Sequence, residues 1–226
     1  MSSVRLLLKD HQWERQQPHL PGKPGDPGLP GADSRLFVEA VLWLVRTGVP
    51  WRDLSASFGN WNSIFVCFSR WSKDAVWDRL LAAMADDADA EYIMIDSTIV
   101  RAHQHAAGKK GGSDARAIGR ARGGLTTRIH AVVDAPCHPL RFILSPGQVN
   151  DITQAEALIT DLPADHVLAD KGYDAKALRD AITERGAIAV IPPGKTSPQV
   201  PCDYALYCER NLIERFFQKI KPCLSG

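Results

Sequence analysis

Three acidic residues stand where their surroundings argue against them. In "IMIDSTIV" (93–100), Asp96 follows Ile93, Met94 and Ile95 in an apolar strand pattern. In "HVLADKGY" (166–173), Asp170 closes a second apolar run. The third, Glu214, lies in "YCERNLIERFFQKIK" (207–221) beside Phe216 and Phe217. At about 100° per residue, Tyr207, Arg210, Glu214 and Lys221 fall within an arc of about 60°, opposite Leu212, Ile213, Phe216 and Ile220. Each acid has an ordinary explanation alone: a strand-end cap, an ion-pair partner, or an exposed Arg210–Glu214 pair at i,i+4 spacing. Together they suggest other chemistry, because a buried carboxylate is costly unless a charge or metal compensates. Mg²⁺ favours carboxylate oxygens and keeps waters for phosphate substrates. Two such ions about 3.5–4 Å apart can clamp the attacking and leaving oxygens of a phosphodiester.

The elements that must position these groups follow from periodicity. "EYIMIDSTIV", "LTTRIHAVVDA" and "PLRFILSPG" read as three strands rich in Ile, Val and Thr. "DITQAEALITDL" reads as a helix with Asp151 as its cap, "DHVLADKGY" as a short strand and "DAKALRDAITERG" as a helix ending at Gly186. "AIAVIPPG" is a strand stopped by prolines, and a last helix spans Tyr207 to Lys221, with Pro222 expected to end it. The order βββ-α-β-α-β-α predicts an α/β fold: a mixed sheet with helices on its faces.

The N-terminal part is different. "PGKPGDPGLPG" (21–31) is too short for a triple helix and reads as a linker. After it come four short helical patterns: "ADSRLFVEAVLWLVRTG", capped by Asp33 or Ser34 and ended by Gly48, then "VPWRDLSASFG", "NWNSIFVCFSRWSK" and "DAVWDRLLAAM". They suit a helix-turn-helix-like module or a plain helical bundle. The acidic "ADDADAE" marks the boundary, giving a helical domain over 1–88 and a second domain over 91–226.

The net charge of +1 does not by itself announce nucleic acid. Local charge does: "RAHQHAAGKKGGSDARAIGRARGG" (101–124) holds Lys109, Lys110, Arg120 and Arg122 among other cations, with Asp114 as its one acid. It reads as a phosphate-binding loop or as a solvated one. His103 and His105 lack further ligands at zinc spacing. The five scattered cysteines form no Cys-x-x-Cys pair, which fits a reducing compartment. Neither a signal peptide nor a membrane-length apolar stretch is evident.

The combined motifs resemble bacterial insertion-sequence transposases of the DDE type, in particular the IS-five group. Tyr207, Arg210, Glu214 and Lys221 match the spacing of that superfamily's Tyr-Arg-Glu-Lys motif, and Asp170, Gly172 and Tyr173 match its Asp-x-Gly-Tyr motif. Asp96 in "IDSTIVRAHQHAAG" matches the first, and the N-terminal half is similar in "LVRTGVPWRDLSASFGNWNSIFVCFSRWSKDAVWDRLL". The resemblance implies an RNase H-like core in which Asp96, Asp170 and Glu214 bind Mg²⁺ or Mn²⁺ and catalyse cleavage and strand transfer at terminal inverted repeats. It implies that Arg210 and Lys221 hold phosphates and that Tyr207 stacks on or hydrogen-bonds to DNA. Lys109, Lys110, Arg120 and Arg122 would touch the backbone of double-stranded DNA, while Arg52, Asn62, Ser63 and Arg70 of the helical domain would read the repeats. A homodimer or larger assembly on DNA, in a bacterial cytoplasm at the nucleoid, is also implied. Family members run several turns past the position of Lys221, so a C-terminally truncated chain is expected. The alternatives are an inactive remnant that only binds DNA and a simple RNase H-like nuclease.

Overall fold

The computed structural model describes residues 7–22, 33–85, 91–101, 117–121, 124–194 and 200–224. The chain divides into two compact units, Met1–Asp86 with Pro222–Gly226, and Asp87–Lys221.

The first unit is helical: α1 (Asp10–Gln16), α2 (Ser34–Thr47), α3 (Trp61–Lys73) and α4 (Val76–Ala85). The Asp33 carboxylate caps α2 by accepting from the Leu36 N–H at 2.8 Å, and Gly48 ends it in the left-handed region at φ 67°. The core packs Phe37, Val41, Trp71 and Val76, with Phe37 and Trp71 edge to face at 4.7 Å. The stretch expected as a second helix is instead two 3₁₀ turns, Trp51–Asp53 and Ala56–Phe58, because extended residues at Leu54 and Ser55 interrupt it. Helix α1 was not anticipated. It is anchored where Glu39, buried in α2, accepts the Leu7 and Leu8 N–H groups at 2.7 and 2.8 Å.

The second unit carries the mixed sheet. Its strands are β1 (Tyr92–Arg101), β2 (Gly119–Ala121), β3 (Gly124–Asp134), β4 (Pro139–Pro146), β5 (His166–Leu168) and β6 (Ile188–Val190). The order is β2-β3-β1-β5-β6, with β4 also on β3. β1 and β3 pair antiparallel with Asp96 opposite Ala131, whereas β1 and β5 run parallel. Three antiparallel strands followed by parallel additions, with helices α5 (Ile152–Ile159), α6 (Lys176–Glu184), α7 (Tyr204–Tyr207) and α8 (Asn211–Leu224), form the expected RNase H-like arrangement. The short β2 was not anticipated; Gly119–Ala121 folds back on Gly124–Thr126 within the stretch read as a loop.

One sheet face is covered by α8. Ile213 and Phe217 are buried against Met94, Ala131, Val133 and Leu168, and Phe216 packs at their edge. Side chains alternate along a strand, so Asp96 shares this face with Met94. The last helix departs from expectation at both ends. Asp203 starts α7 by accepting from the Ala205 and Leu206 N–H groups. A 3₁₀ turn, Cys208–Arg210, then precedes α8. At the other end α8 continues through Pro222 to Leu224. A proline in the final turn removes one intrahelical bond where the helix has few left to lose.

Candidate active site

Asp96 lies midway along β1, its side chain 19% exposed. Its Oδ1 accepts the Ser97 N–H at 2.7 Å. Asp170 lies two residues beyond β5, at the head of the 3₁₀ turn Lys171–Tyr173, and caps that turn by accepting from the Gly172 N–H at 2.8 Å. A Cβ on residue 172 would stand 2.9 Å from Asp170 Oδ1, so glycine keeps that oxygen and the turn compatible. Glu214, on the first turn of α8, is 50% exposed at the side chain. Asp96 therefore comes from a central strand, Asp170 from the end of its parallel neighbour, and Glu214 from the helix covering their face.

Charge couples the three. Burial is the main cause that pushes the Asp96 pKa from 3.8 up to about 6; the Ser97 N–H and Arg210 oppose this, while Asp170 and Glu214 add to it. Arg210 Nη1 donates to Asp96 Oδ2 at 3.2 Å, and Nη2 donates to Glu214 Oε1. The guanidinium also lies 5.7 Å over the Tyr207 ring. Burial lowers the Arg210 pKa, but Asp96, Tyr207 and Glu214 outweigh it and raise it. Among the described residues, no three Asp, Glu, His or Cys side chains converge closely enough to hold a metal ion; the cation between Asp96 and Glu214 is Arg210.

Of the remaining sequence candidates, Lys221 is exposed in the last turn of α8. Arg120 belongs to β2. Lys109, Lys110 and Arg122, with His103 and His105, lie outside the described residues. In the first unit, Asn62, Ser63, Val66, Arg70 and Lys73 are all exposed on α3, within an arc of about 100°. Arg52 is exposed and lies 5.7 Å over the Trp61 ring.

Sequence reasoning missed a polar cluster behind β1. Ser97, next to Asp96 but on the opposite sheet face, donates from Oγ to Asp151 Oδ1 at 2.5 Å. Arg128 Nη1 donates to the same oxygen, and His130 Nδ1 stands 3.6 Å from it. Tyr173 is 1% exposed. Burial first, then Asp151, Asp96 and Asp170, raise its pKa, against Ser97, which favours its ionised form. Among the described residues, no group meets hydrogen-bond geometry at its hydroxyl. The only signal was Asp151, and it read as a helix cap; it sits at that position but makes no capping bond.

Two family models cover the chain. One, described as "Putative transposase of IS4/5 family", matches residues 8–81. The other, "Transposase DDE domain", matches residues 87–224 and spans the strands and helices that carry Asp96, Asp170 and Glu214. The chain belongs to the DDE transposase family. A Brucella ovis protein described as "Putative transposase for insertion sequence element IS6501" is 45% identical over 43% of this chain and 77% of its own length. "Uncharacterized protein y4sN" of Sinorhizobium fredii is 46% identical over 57% of this chain and 95% of its own. A Burkholderia cepacia protein, "Putative transposase for insertion sequence element IS402", is 37% identical over 34% of this chain; the match spans 41% of that protein. The Mos1 transposase paired-end complex superimposes with a TM-score of 0.31 at 12% identity, over 89% of this chain and 80% of that one. Among the described residues no helix is long and apolar enough to cross a membrane.

Proposed function

We propose that this DDE transposase cuts and joins DNA at the ends of its insertion sequence, using divalent ions held by Asp96, Asp170 and Glu214. The observation that carries the reading is that Asp96 on β1 and Glu214 on α8 converge on the one guanidinium of Arg210, with Asp170 adding to the negative charge around Asp96. Such a site gains from a divalent cation, and its oxygen-only donor set suits Mg²⁺ or Mn²⁺ rather than zinc. A bound ion of that kind polarises the scissile phosphate and lowers the pKa of the attacking water or 3′ hydroxyl.

The protein's own groups do the rest. Asp96 is preset by the Ser97 N–H and Asp170 by its turn, so neither has to be ordered by substrate. Arg210 serves best by leaving the carboxylates and pairing with a DNA phosphate, where its fork is suited to oxygen pairs. Tyr207, already against Arg210, stays as its platform or meets DNA, and Lys221 adds a phosphate contact from the same helix. The domain over 1–88 reads the terminal inverted repeats through the exposed face of α3 and Arg52. The basic stretch with Lys109, Lys110, Arg120 and Arg122 grips the backbone. Assembly as a homodimer or larger unit would bring two ends together.

The test is strand cleavage of a duplex carrying the element's own inverted repeat, with Mg²⁺, Mn²⁺ or chelator. Metal-dependent nicking at the repeat boundary, lost in Asp96→Ala, Asp170→Ala and Glu214→Ala variants that still bind the duplex, supports the reading. Equal binding with no nicking in any metal assigns the chain instead to a DNA-binding remnant. Nicking of RNA–DNA hybrids without regard to the repeat assigns it to a simple nuclease.

A further inference from the structure

We infer that Asp151 is a positioning residue for the metal-binding carboxylates, acting through Ser97 from the far side of β1. This rests on the reading of Asp96 as a cation ligand. The first observation is negative: Asp151 heads α5 but its side chain makes no capping hydrogen bond, although aspartate at that position ordinarily does. The carboxylate is used elsewhere. It takes Ser97 Oγ at 2.5 Å and Arg128 Nη1, so one oxygen ties the start of α5 to both β1 and β3.

Ser97 is gripped on both sides of the sheet. Its backbone N–H holds Asp96 Oδ1 at 2.7 Å on the α8 side, and its hydroxyl holds Asp151 on the other. A shift of Asp151 therefore moves the group that orients Asp96. The surroundings leave little room for rearrangement. His130 is fully buried, and its Nε2 lies 2.7 Å from Ser145 Oγ on β4. Burial, the largest cause, lowers its pKa, with Asp151 opposing and Arg128 assisting. Tyr173, three residues after Asp170, puts its buried hydroxyl into the same space, near Ser97, Asp151, Asp96 and Asp170. The cluster thus touches the segments of both aspartates. Groups that orient metal ligands from behind typically change metal affinity or activity by about 10–100-fold when removed.

The experiment is calorimetric titration of Mn²⁺ into the full chain and into Asp151→Asn, Ser97→Ala and Ser97→Thr, with thermal melting alongside. The expected result is Mn²⁺ binding weakened about tenfold or more in Asp151→Asn and Ser97→Ala, measured well below their melting temperatures. Ser97→Thr, which keeps the hydroxyl, restores it. A role confined to stability would lower melting and leave Mn²⁺ affinity unchanged; that result overturns the inference. If Asp151→Asn does not fold, the contrast between Ser97→Ala and Ser97→Thr decides alone. If the wild-type chain takes up no Mn²⁺ with or without duplex DNA, the metal reading itself fails and the inference falls with it. Normal wild-type uptake that all variants share removes only the inference.

Discussion

Arg210 Nη1 lies 3.2 Å from Asp96 Oδ2, and the same guanidinium reaches across to Glu214. An arginine thus neutralises two of the three carboxylates read as metal ligands, and a divalent cation has to compete with it for their oxygens. Hydrogen bonds to charged groups contribute about 1.5–3 kcal/mol, and about 1.4 kcal/mol is tenfold in affinity. Arg210→Gln should therefore bind Mn²⁺ about tenfold more tightly than wild type without DNA, as read by calorimetry. Adding duplex DNA should tighten Mn²⁺ binding to wild type and do little for the variant. Weaker Mn²⁺ binding by the variant would place Arg210 as a partner of the site rather than a competitor.

Asp96 makes stability depend on pH. Its folded pKa of about 6 lies above the ordinary 3.8, so the folded chain holds this proton more tightly than the unfolded chain. Below about pH 4 both states are protonated and there is no penalty; stability then falls as pH rises and the full penalty is present above about pH 6. The size is on the order of 2–3 kcal/mol. Asp96→Asn, which cannot ionise, should melt higher than wild type at neutral pH without metal. The difference should shrink as the pH is lowered through about 6 towards 4. Parallel melting curves across that range would show that ionising the Asp96 carboxylate carries no such penalty.

Glu214 depends on packing beneath it. Ile213 is fully buried and Phe217 is 4% exposed against the Asp96 face of the sheet. Phe217→Ala should cost about 3–5 kcal/mol and Ile213→Val about 0.5–1.5 kcal/mol, measured by denaturant unfolding. Milder substitutions such as Ile213→Val should lower the population with Glu214 in place while leaving Asp96 and Asp170 intact. A loss of less than about 1 kcal/mol for Phe217→Ala would mean that α8 does not hold to the sheet through this face.

Much of this was legible in the chain. The order of strands and helices in the second unit followed from Ile- and Val-rich runs and from turn glycines such as Gly186. Asp96 and Asp170 stood out because acids interrupt apolar runs. Local pattern was silent where tertiary contacts decide. Asp151 has the sequence of a helix cap, and only the approach of Ser97 and Arg128 from other strands turns its carboxylate aside. The α1 anchor depends on Glu39, some 31 residues distant from Leu8. The wheel from Tyr207 to Lys221 assumed one continuous helix, whereas a 3₁₀ turn precedes Asn211. The Arg210–Glu214 pair spans that junction and survives it because Asn211, at the junction, keeps right-handed helical backbone angles.

DNA binding should carry the mark of the basic stretch. Neutralising Lys109, Lys110, Arg120 and Arg122 should weaken binding for all duplex sequences alike and reduce the slope of log K against log salt by up to about 3–4, at about 0.9 per phosphate contact. Binding measured over a range of salt on cognate and unrelated duplexes checks this. Loss confined to the cognate duplex would mean that these residues read bases.

Asp96, Asp170 and Glu214, from three separate parts of the chain, are proposed to close around one divalent-ion site once Arg210 leaves the carboxylates. Replacing Mg²⁺ by Fe²⁺ and generating hydroxyl radicals at the bound ion cuts the polypeptide wherever it lies beside the metal. Backbone cuts should appear near residues 96, 170 and 214 together, be suppressed by excess Mg²⁺, and vanish at all three places in Asp96→Ala. Cuts at one segment alone, or cuts that persist unchanged in Asp96→Ala, would contradict this arrangement.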